Sequence, residues 1–237
     1  MKNYFQAPWT IKQLIRTFLM LILLGGLTIA GAHYFFRTID YDKNSTSIVA
    51  LGFLVQWVII ISSFFTFAPK NFFNPKAWLL KNIGLLKTLK VVLKNYLLYF
   101  GIIFSILIFM STTGMKIPGF EQQESIFEIL NSSNASLFIL GIMIVLIAPI
   151  LEELFFRGFV LQSLVDKIGT KWGSVVTAGI FAIFHLEPQA FFPLFIIGLI
   201  INNIAIKHKS IIPTIAYHMM NNGIAFALQI LIVKNLL

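Results

Sequence analysis

Residues 135–158 read ASLFILGIMIVLIAPILEELFFRG. As a helix, with about 1.5 Å of rise per residue, Ala135 to Phe156 is long enough to cross a hydrocarbon core of about 30 Å. The end of this run breaks its own apolar pattern with Glu152, Glu153 and Arg157. An ionisable side chain at membrane depth costs at least about 2.5 to 3.5 kcal/mol, so three so close together call for a use. Glu153 and Arg157 stand four apart and share a helical face, where they can pair. Glu152 is turned about 100° away. One acid is neutralised and the other is left to work. Pro149 has no amide hydrogen, so it frees a backbone carbonyl one turn earlier and favours a kink. The plainer alternative is a membrane boundary at which Arg157 snorkels and the glutamates meet headgroups. It accounts for the pair but not for the second acid.

The rest of the chain shares this setting. It has 237 residues, of which 58% are hydrophobic and 11% charged, with 25 phenylalanines and a mean hydropathy of +0.87. Ordinary domains are about 25% charged. Seven stretches are candidates for spans: Leu14 to Phe36, Ile48 to Phe67, Val91 to Ser111, Ala135 to Phe156, Trp172 to Leu186, Ala190 to Ile206 and Ile211 to Val233. The fold expected is all-α, a polytopic transmembrane bundle with N-terminal helices over 1–134 and a transmembrane core over 135–237 that carries the charged run. Lys2, Lys12 and Arg16 before an apolar run with Ala30-Gly31-Ala32 also fit a cleaved signal peptide. The run continues through Tyr34, Phe35 and Phe36, and a retained first helix is the simpler expectation.

No cysteine is present, which removes disulfide scaffolds, zinc knuckles, iron-sulfur clusters and thiol catalysis. The net charge of +9 is not the clustered patch that a nucleic-acid binder needs. Twelve basic residues fall on one side of the predicted spans, among them Lys76, Lys81, Lys87, Lys90, Lys167, Lys171, Lys207 and Lys209. Four, namely Arg37, Lys43, Lys116 and Lys234, fall on the other, with Glu121, Glu124 and Glu128. The positive-inside rule then puts the N-terminus in the cytoplasm. Between Pro75 and Lys94, leucines and lysines alternate at near-helical spacing, the pattern of an amphipathic helix lying in the interface. Its lysines would meet anionic headgroups. The polar stretch Thr112 to Asn134 is expected to be an external loop.

Two histidines add to the acids. Phe181-Ala182-Ile183-Phe184-His185 lies in the fifth span and His218-Met219-Met220-Asn221-Asn222 in the seventh. His218 and Asn222 share a helical face. A lone buried histidine is more often a packing residue with a hydrogen bond, but two of them alongside buried acids point to a site. His33 and His208 are read as interfacial. Glu152-Glu153-xxx-Arg157, Phe181-xxx-His185 and His218-xxx-Asn222, in that order, resemble the three-motif signature of the CPBP intramembrane proteases, which include the type II CAAX prenyl endopeptidases and the bacterial Abi proteins. The motifs cover about a third of the chain.

The resemblance implies hydrolysis of a peptide bond within a membrane-associated peptide or protein. The expected roles are Glu152 as general base with His185 sharing its water, Glu153 and Arg157 holding the helix and its field, and His218 with Asn222 facing the scissile carbonyl. A zinc version would use Glu152, His185 and His218. The metal-free version is preferred because Asn222 suits an oxyanion better than a metal. There is no His-Glu-x-x-His, and Asp40, Asp42 and Asp166 all lie in loops. A transporter and a non-hydrolytic immunity protein are the rivals; no internal repeat or missing motif member favours either. The setting expected is a bacterial plasma membrane, with lipid and substrate as partners and the oligomeric state open. Counted along the spans, His185 falls nearer the outer end than Glu152 and His218 do, so the fifth span either starts later than Trp172 or is tilted.

Overall fold

Where apolar runs are this long, each segment must satisfy its own backbone amides and carbonyls, and helices do so. The computed structural model describes residues 7–38, 46–67, 74–120 and 134–233, and every regular element among them is helical. These are α1 (Ile11–Thr38), α2 (Thr46–Phe67), α3 (Leu85–Thr113), a long run from Asn134 to Phe184, a short 3-10 turn at Pro188–Ala190, α7 (Phe191–His208) and α8 (Ile212–Val233). The long run comprises α4 (Asn134–Gly141), a π-helical segment Ile142–Ile147, α5 (Ala148–Glu153), a second π-helical segment Leu154–Leu161 and α6 (Gln162–Phe184). A Thr10-x-x-Gln13 capping box starts α1: the Gln13 amide donates to Thr10 Oγ1 at 3.3 Å, and the Thr10 amide to Gln13 Oε1 at 2.8 Å. Gly114, left-handed at φ 68°, ends α3.

Two expectations change. Among the described residues, five helical stretches rather than seven are long and apolar enough to cross a membrane: Ile11–Gly31, Leu85–Thr113, Leu137–Phe184, Pro188–His208 and Ile212–Ile232. The predicted fourth and fifth spans fall in one of them, the 48-residue stretch Leu137–Phe184. Gly169, at φ 81° and ψ 168°, breaks it, and the arm after the break folds back on the arm before it. The predicted second span lies in α2, whose apolar part Leu54–Ser63 is shorter.

The amphipathic helix expected over 75–94 does not form either. Residues 75–79 make a turn, and left-handed Leu79 (φ 56°) and positive-φ Gly84 (φ 89°) interrupt any helix before Leu85. Burial decides this. Trp78 is pulled into the core while the Ile211 amide donates to Leu79 O at 3.0 Å and Ser210 Oγ donates to Lys81 O. Lys87, Lys90 and Lys94 instead lie in the first turns of α3 beside exposed Leu85, Leu86 and Leu89. Of the external loop, 112–120 is described, and Gly119 (φ 83°) accepts a hydrogen bond from the Phe192 amide at 3.3 Å. Glu121, Glu124 and Glu128 lie outside the described residues, as do Lys2, Asp40, Asp42, Lys43, Lys70, Lys234 and the side chain of His33.

The N-terminal half packs directly on the motif-bearing helix. Trp9 Nε1 donates to the Gly158 carbonyl at 2.7 Å, Gln162 Nε2 donates to the same oxygen, and the Trp9 and Trp78 rings lie 5.1 Å apart. A Cβ at Gly158 would come within 2.9 Å of the Trp78 ring, so only glycine lets both indoles cover this turn. Likewise a Cβ at Gly198 of α7 would meet Ala178 Cα of α6 at 3.0 Å. The small residues Ala178 and Ala182, both buried, thus serve packing within the chain.

The hairpin depends on one contact. A Cβ at Gly173 would stand 2.7 Å from the Val165 backbone nitrogen, whereas one at Gly179 in the same helix would meet nothing within 4 Å. Backbone cannot move aside as a side chain can, so Gly173→Ala should destabilise the protein by roughly 1–3 kcal/mol. Gly179→Ala should be neutral or gain up to about 1 kcal/mol. Thermal unfolding of both variants in one detergent measures the difference.

Candidate active site

Pro149 shapes the helix that carries the acids. In the π-helical segment the Ala148 amide bonds back to Met143 O, five residues away, so the next carbonyl, that of Ile144, would pair with residue 149 in the same register. Proline has no hydrogen to give. Asn222 Nδ2 of α8 donates to Ile144 O at 3.0 Å instead. The carbonyl freed by Pro149 therefore ties α8 to the acid-bearing run. π-helical insertions of this kind are frequent at functional sites.

A fully buried ion pair follows: Arg157 Nη1 lies 2.8 Å from Glu153 Oε1, and both side chains are 0% exposed. The guanidinium is held on its remaining sides by Asn202 Oδ1, 3.0 Å from Nε, by the Gly198 carbonyl, 3.4 Å from Nη2, and by the Phe181 ring, whose centroid is 4.5 Å from Cζ. Buried ion pairs persist when their remaining polar valences are filled in this way.

The ion pair leads into the first histidine. Glu153 Oε1, already bonded to Arg157, also lies 3.0 Å from His218 Nδ1. A carboxylate accepts, so Nδ1 carries the hydrogen and Nε2 holds the lone pair. The same logic applies at His185, whose Nδ1 lies 2.7 Å from the Phe181 carbonyl. A carbonyl cannot donate, so the His185 lone pair is also on Nε2. Both Nε2 atoms approach Glu152 Oε2, from His218 at 3.8 Å and from His185 at 4.0 Å. Glu152 Oε2 is buried without a hydrogen-bond partner, although the Glu152 side chain as a whole is 19% exposed and that of His185 26%. The site opens on that side and is closed behind Glu153.

The structure thus brings Glu152, Glu153, Arg157, His185 and His218 together, whereas Asn222 is bonded to the Ile144 carbonyl, eight residues before Glu152. The two glutamates differ as their helical phase requires, yet they meet again on opposite nitrogens of the His218 ring, which the spacing along the chain does not reveal. The depth mismatch at His185 also resolves. Gly173 packs level with Val165, so the exposed tip 166–168 and 171–172 projects past that level. About 18 Å of helix from Gly173 to His185 then has to match about 20 Å from Val165 to Glu152. Two further residues take part, Phe181, named in the sequence only as a motif member, and Asn202, which the motifs do not include. Phe181 contacts Arg157 and both histidine rings, with centroids 4.6 Å from His185 and 5.8 Å from His218, and its carbonyl orients His185. Asn202 stood as one polar residue in the apolar run of α7.

Glu152, His185 and His218 have the donor chemistry of a zinc site, but their spacing does not match one. Tetrahedral zinc with bonds of about 2.0–2.1 Å places its donors about 3.4 Å apart, so these gaps would have to close by about 0.5 Å. Among the described residues no group of three His, Cys, Asp or Glu side chains is arranged to hold a metal ion. A water with hydrogen bonds of about 2.8 Å bridges either gap with no side-chain movement.

The order of the motifs, now joined in space, agrees with a comparison to known families. Residues 134–224 match the family model described as Type II CAAX prenyl endopeptidase Rce1-like. The match encloses all six residues that the sequence motifs single out. No curated protein and no solved structure matches the chain. The Rce1-like family is one of type II CAAX proteases, and this likeness together with the apolar helices supports a multi-pass membrane protein.

The two glutamates should respond differently to loss of charge. Glu153→Gln strands the buried Arg157 and should cost about 3–5 kcal/mol. Glu152→Gln removes no protein partner and should change stability by less than about 1 kcal/mol. Unfolding curves in detergent separate the two outcomes.

Proposed function

We propose that this protein is an intramembrane endopeptidase in which Glu152 activates a water to hydrolyse a peptide bond of a membrane-associated peptide or protein. The observation that carries this reading is the convergence of two histidine lone pairs on the buried, unpartnered Glu152 Oε2, at 3.8 and 4.0 Å. The water sits between Glu152 Oε2 and His185 Nε2, giving one hydrogen to each. As its oxygen bonds to the scissile carbonyl carbon, the carbonyl electron pair moves onto oxygen and the water's proton passes to Glu152. That proton then reaches the leaving nitrogen as the C–N bond breaks, and two peptide fragments depart.

Two groups stabilise the oxyanion. Asn222 has two amide hydrogens and commits one to Ile144 O; the second is its donor to the oxyanion. His218 becomes a donor at Nε2 by taking a proton from bulk water on the open side before attack and returns it when the products leave, and the Glu153 carboxylate bonded to Nδ1 holds the ring throughout. Arg157 in turn holds Glu153. No step here passes through a metal.

The family description names prenylated CAAX proteins as one substrate class. The composition, with its lysine-rich side and hydrophobic N-terminus, favours a bacterial plasma membrane with the N-terminus in the cytoplasm. The substrate class most consistent with that setting is a membrane-associated peptide or protein, prenylated or not.

Purified protein in liposomes should cleave a quenched fluorescent peptide in either its farnesylated or its unmodified form. Glu152→Gln should lower the rate at least about 10³-fold, as expected where chemistry rests on one base, while still inserting and unfolding like the wild type. Activity should survive 1,10-phenanthroline. Retained cleavage by Glu152→Gln sinks the assignment of the base, and loss on chelation with recovery on added zinc sinks the metal-free step.

A further inference from the structure

Asn202 lies outside the three motifs, in the run Ile200-Ile201-Asn202-Asn203-Ile204 of α7. It is 0% exposed, whereas its neighbour Asn203 is exposed. A buried carboxamide in an apolar bundle needs partners on both its ends. Asn202 has them: Oδ1 accepts from Arg157 Nε at 3.0 Å, and Nδ2 donates to the Ser174 carbonyl of α6 at 2.9 Å. A guanidinium only donates and a carbonyl only accepts, so the amide can be oriented in one way alone.

We propose that Asn202 is a positioning residue: by fixing the plane of the Arg157 guanidinium it sets the Glu153 carboxylate, and through it the orientation and protonated nitrogen of His218. The inference deepens the reading of this site as a protease centre and rests on it. The chain of contacts is continuous, from Asn202 Oδ1 to Arg157 Nε at 3.0 Å, Arg157 Nη1 to Glu153 Oε1 at 2.8 Å, and Glu153 Oε1 to His218 Nδ1 at 3.0 Å.

A single hydrogen bond from Nη1 to Glu153 leaves the guanidinium free to turn about that bond. The second bond, at Nε, removes the freedom, since the Gly198 contact at 3.4 Å is long. Arg157 and His218 share one oxygen of Glu153, so any rotation of the guanidinium moves the acceptor of His218. His185 is independent, because its Nδ1 is held by the Phe181 backbone at 2.7 Å. Disturbing Asn202 should therefore change one histidine and spare the other.

The test uses the full chain in lipid nanodiscs with ¹⁵N-labelled histidine, whose ring shifts report which nitrogen is protonated. The four histidines are assigned from single replacements. Asn202→Leu removes both bonds, and Asn202→Asp keeps the oxygen facing Arg157 while losing the donor to Ser174. In Asn202→Leu the His218 signals should move from a single Nδ1–H form to a mixture, with His185 unchanged. In Asn202→Asp, His218 should keep the wild-type form.

Cleavage of the farnesylated or unmodified peptide should follow, with kcat falling roughly 10- to 100-fold in Asn202→Leu and KM staying within about twofold. A role in packing alone, through Ser174, would alter His218 equally in both variants and overturn the proposal, as would an unchanged His218 in Asn202→Leu. If Asn202→Leu does not fold, Asn202→Ser, too short to reach Arg157, takes its place with the same expected result. If the wild type cleaves neither peptide, the protease reading fails at these substrates while the histidine spectra still decide the linkage.

Discussion

The Arg157–Glu153 ion pair, 0% exposed at both ends, is the constraint on which the rest of the centre depends. A guanidinium in an apolar bundle cannot be left with open valences, and its neighbours are arranged around that requirement. α7 supplies the Asn202 oxygen and the Gly198 carbonyl, and α6 supplies the face of Phe181. Glu153 passes the same constraint on to His218 of α8. Four helical segments are thus tied to one cation, and the reactive atoms lie one bond further out. Glu152 is the contrasting case. It is adjacent in the chain, is 19% exposed where Glu153 is fully buried, has no arginine on its carboxylate and faces the open side.

The helix that carries both acids is built to be irregular. Pro149 withholds a hydrogen, the ladder widens into π-helical segments on either side of Ala148–Glu153, and Asn222 fills the freed carbonyl. Glycines then set how close other elements come. Gly158 admits Trp78, with Trp9 bonded to its carbonyl, Gly198 admits α6, and Gly173 closes the hairpin after Gly169. Helix association in a membrane relies on such close approach because no hydrophobic effect drives it.

Much of this was legible along the chain. The pairing of Glu153 with Arg157 follows from their four-residue spacing, and the opposite direction of Glu152 follows from the helical turn. His185 and His218 stood out as polar residues in apolar runs, and the order of the motifs led to the protease resemblance. Asn202 had the same kind of signal, a polar residue in the run Ile200 to Ile204, but no spacing relation to a partner. Its partners, Arg157 and Ser174, are 45 and 28 residues away. The expected interfacial helix over 75–94 failed for a related reason. Its alternation of leucine and lysine was real, but the burial of Trp78 against Gly158 and the bonds to Ser210 and Ile211 outweighed local periodicity.

By itself the sequence determined what depends on neighbours within a few residues of one helix: the apolar runs, the Glu153–Arg157 pairing, the carbonyl freed by Pro149 and the polar residues that interrupt those runs. Tertiary structure alone decided what depends on distances between helices. It set the separations of 3.8 and 4.0 Å around Glu152 Oε2, the nitrogen of each histidine that bears hydrogen, and the anchoring of Arg157 by Asn202. The physical reason is that periodicity fixes direction within a helix, whereas the approach of one helix to another is set by packing at glycines and by hydrogen bonds and ion pairs between buried groups on different helices.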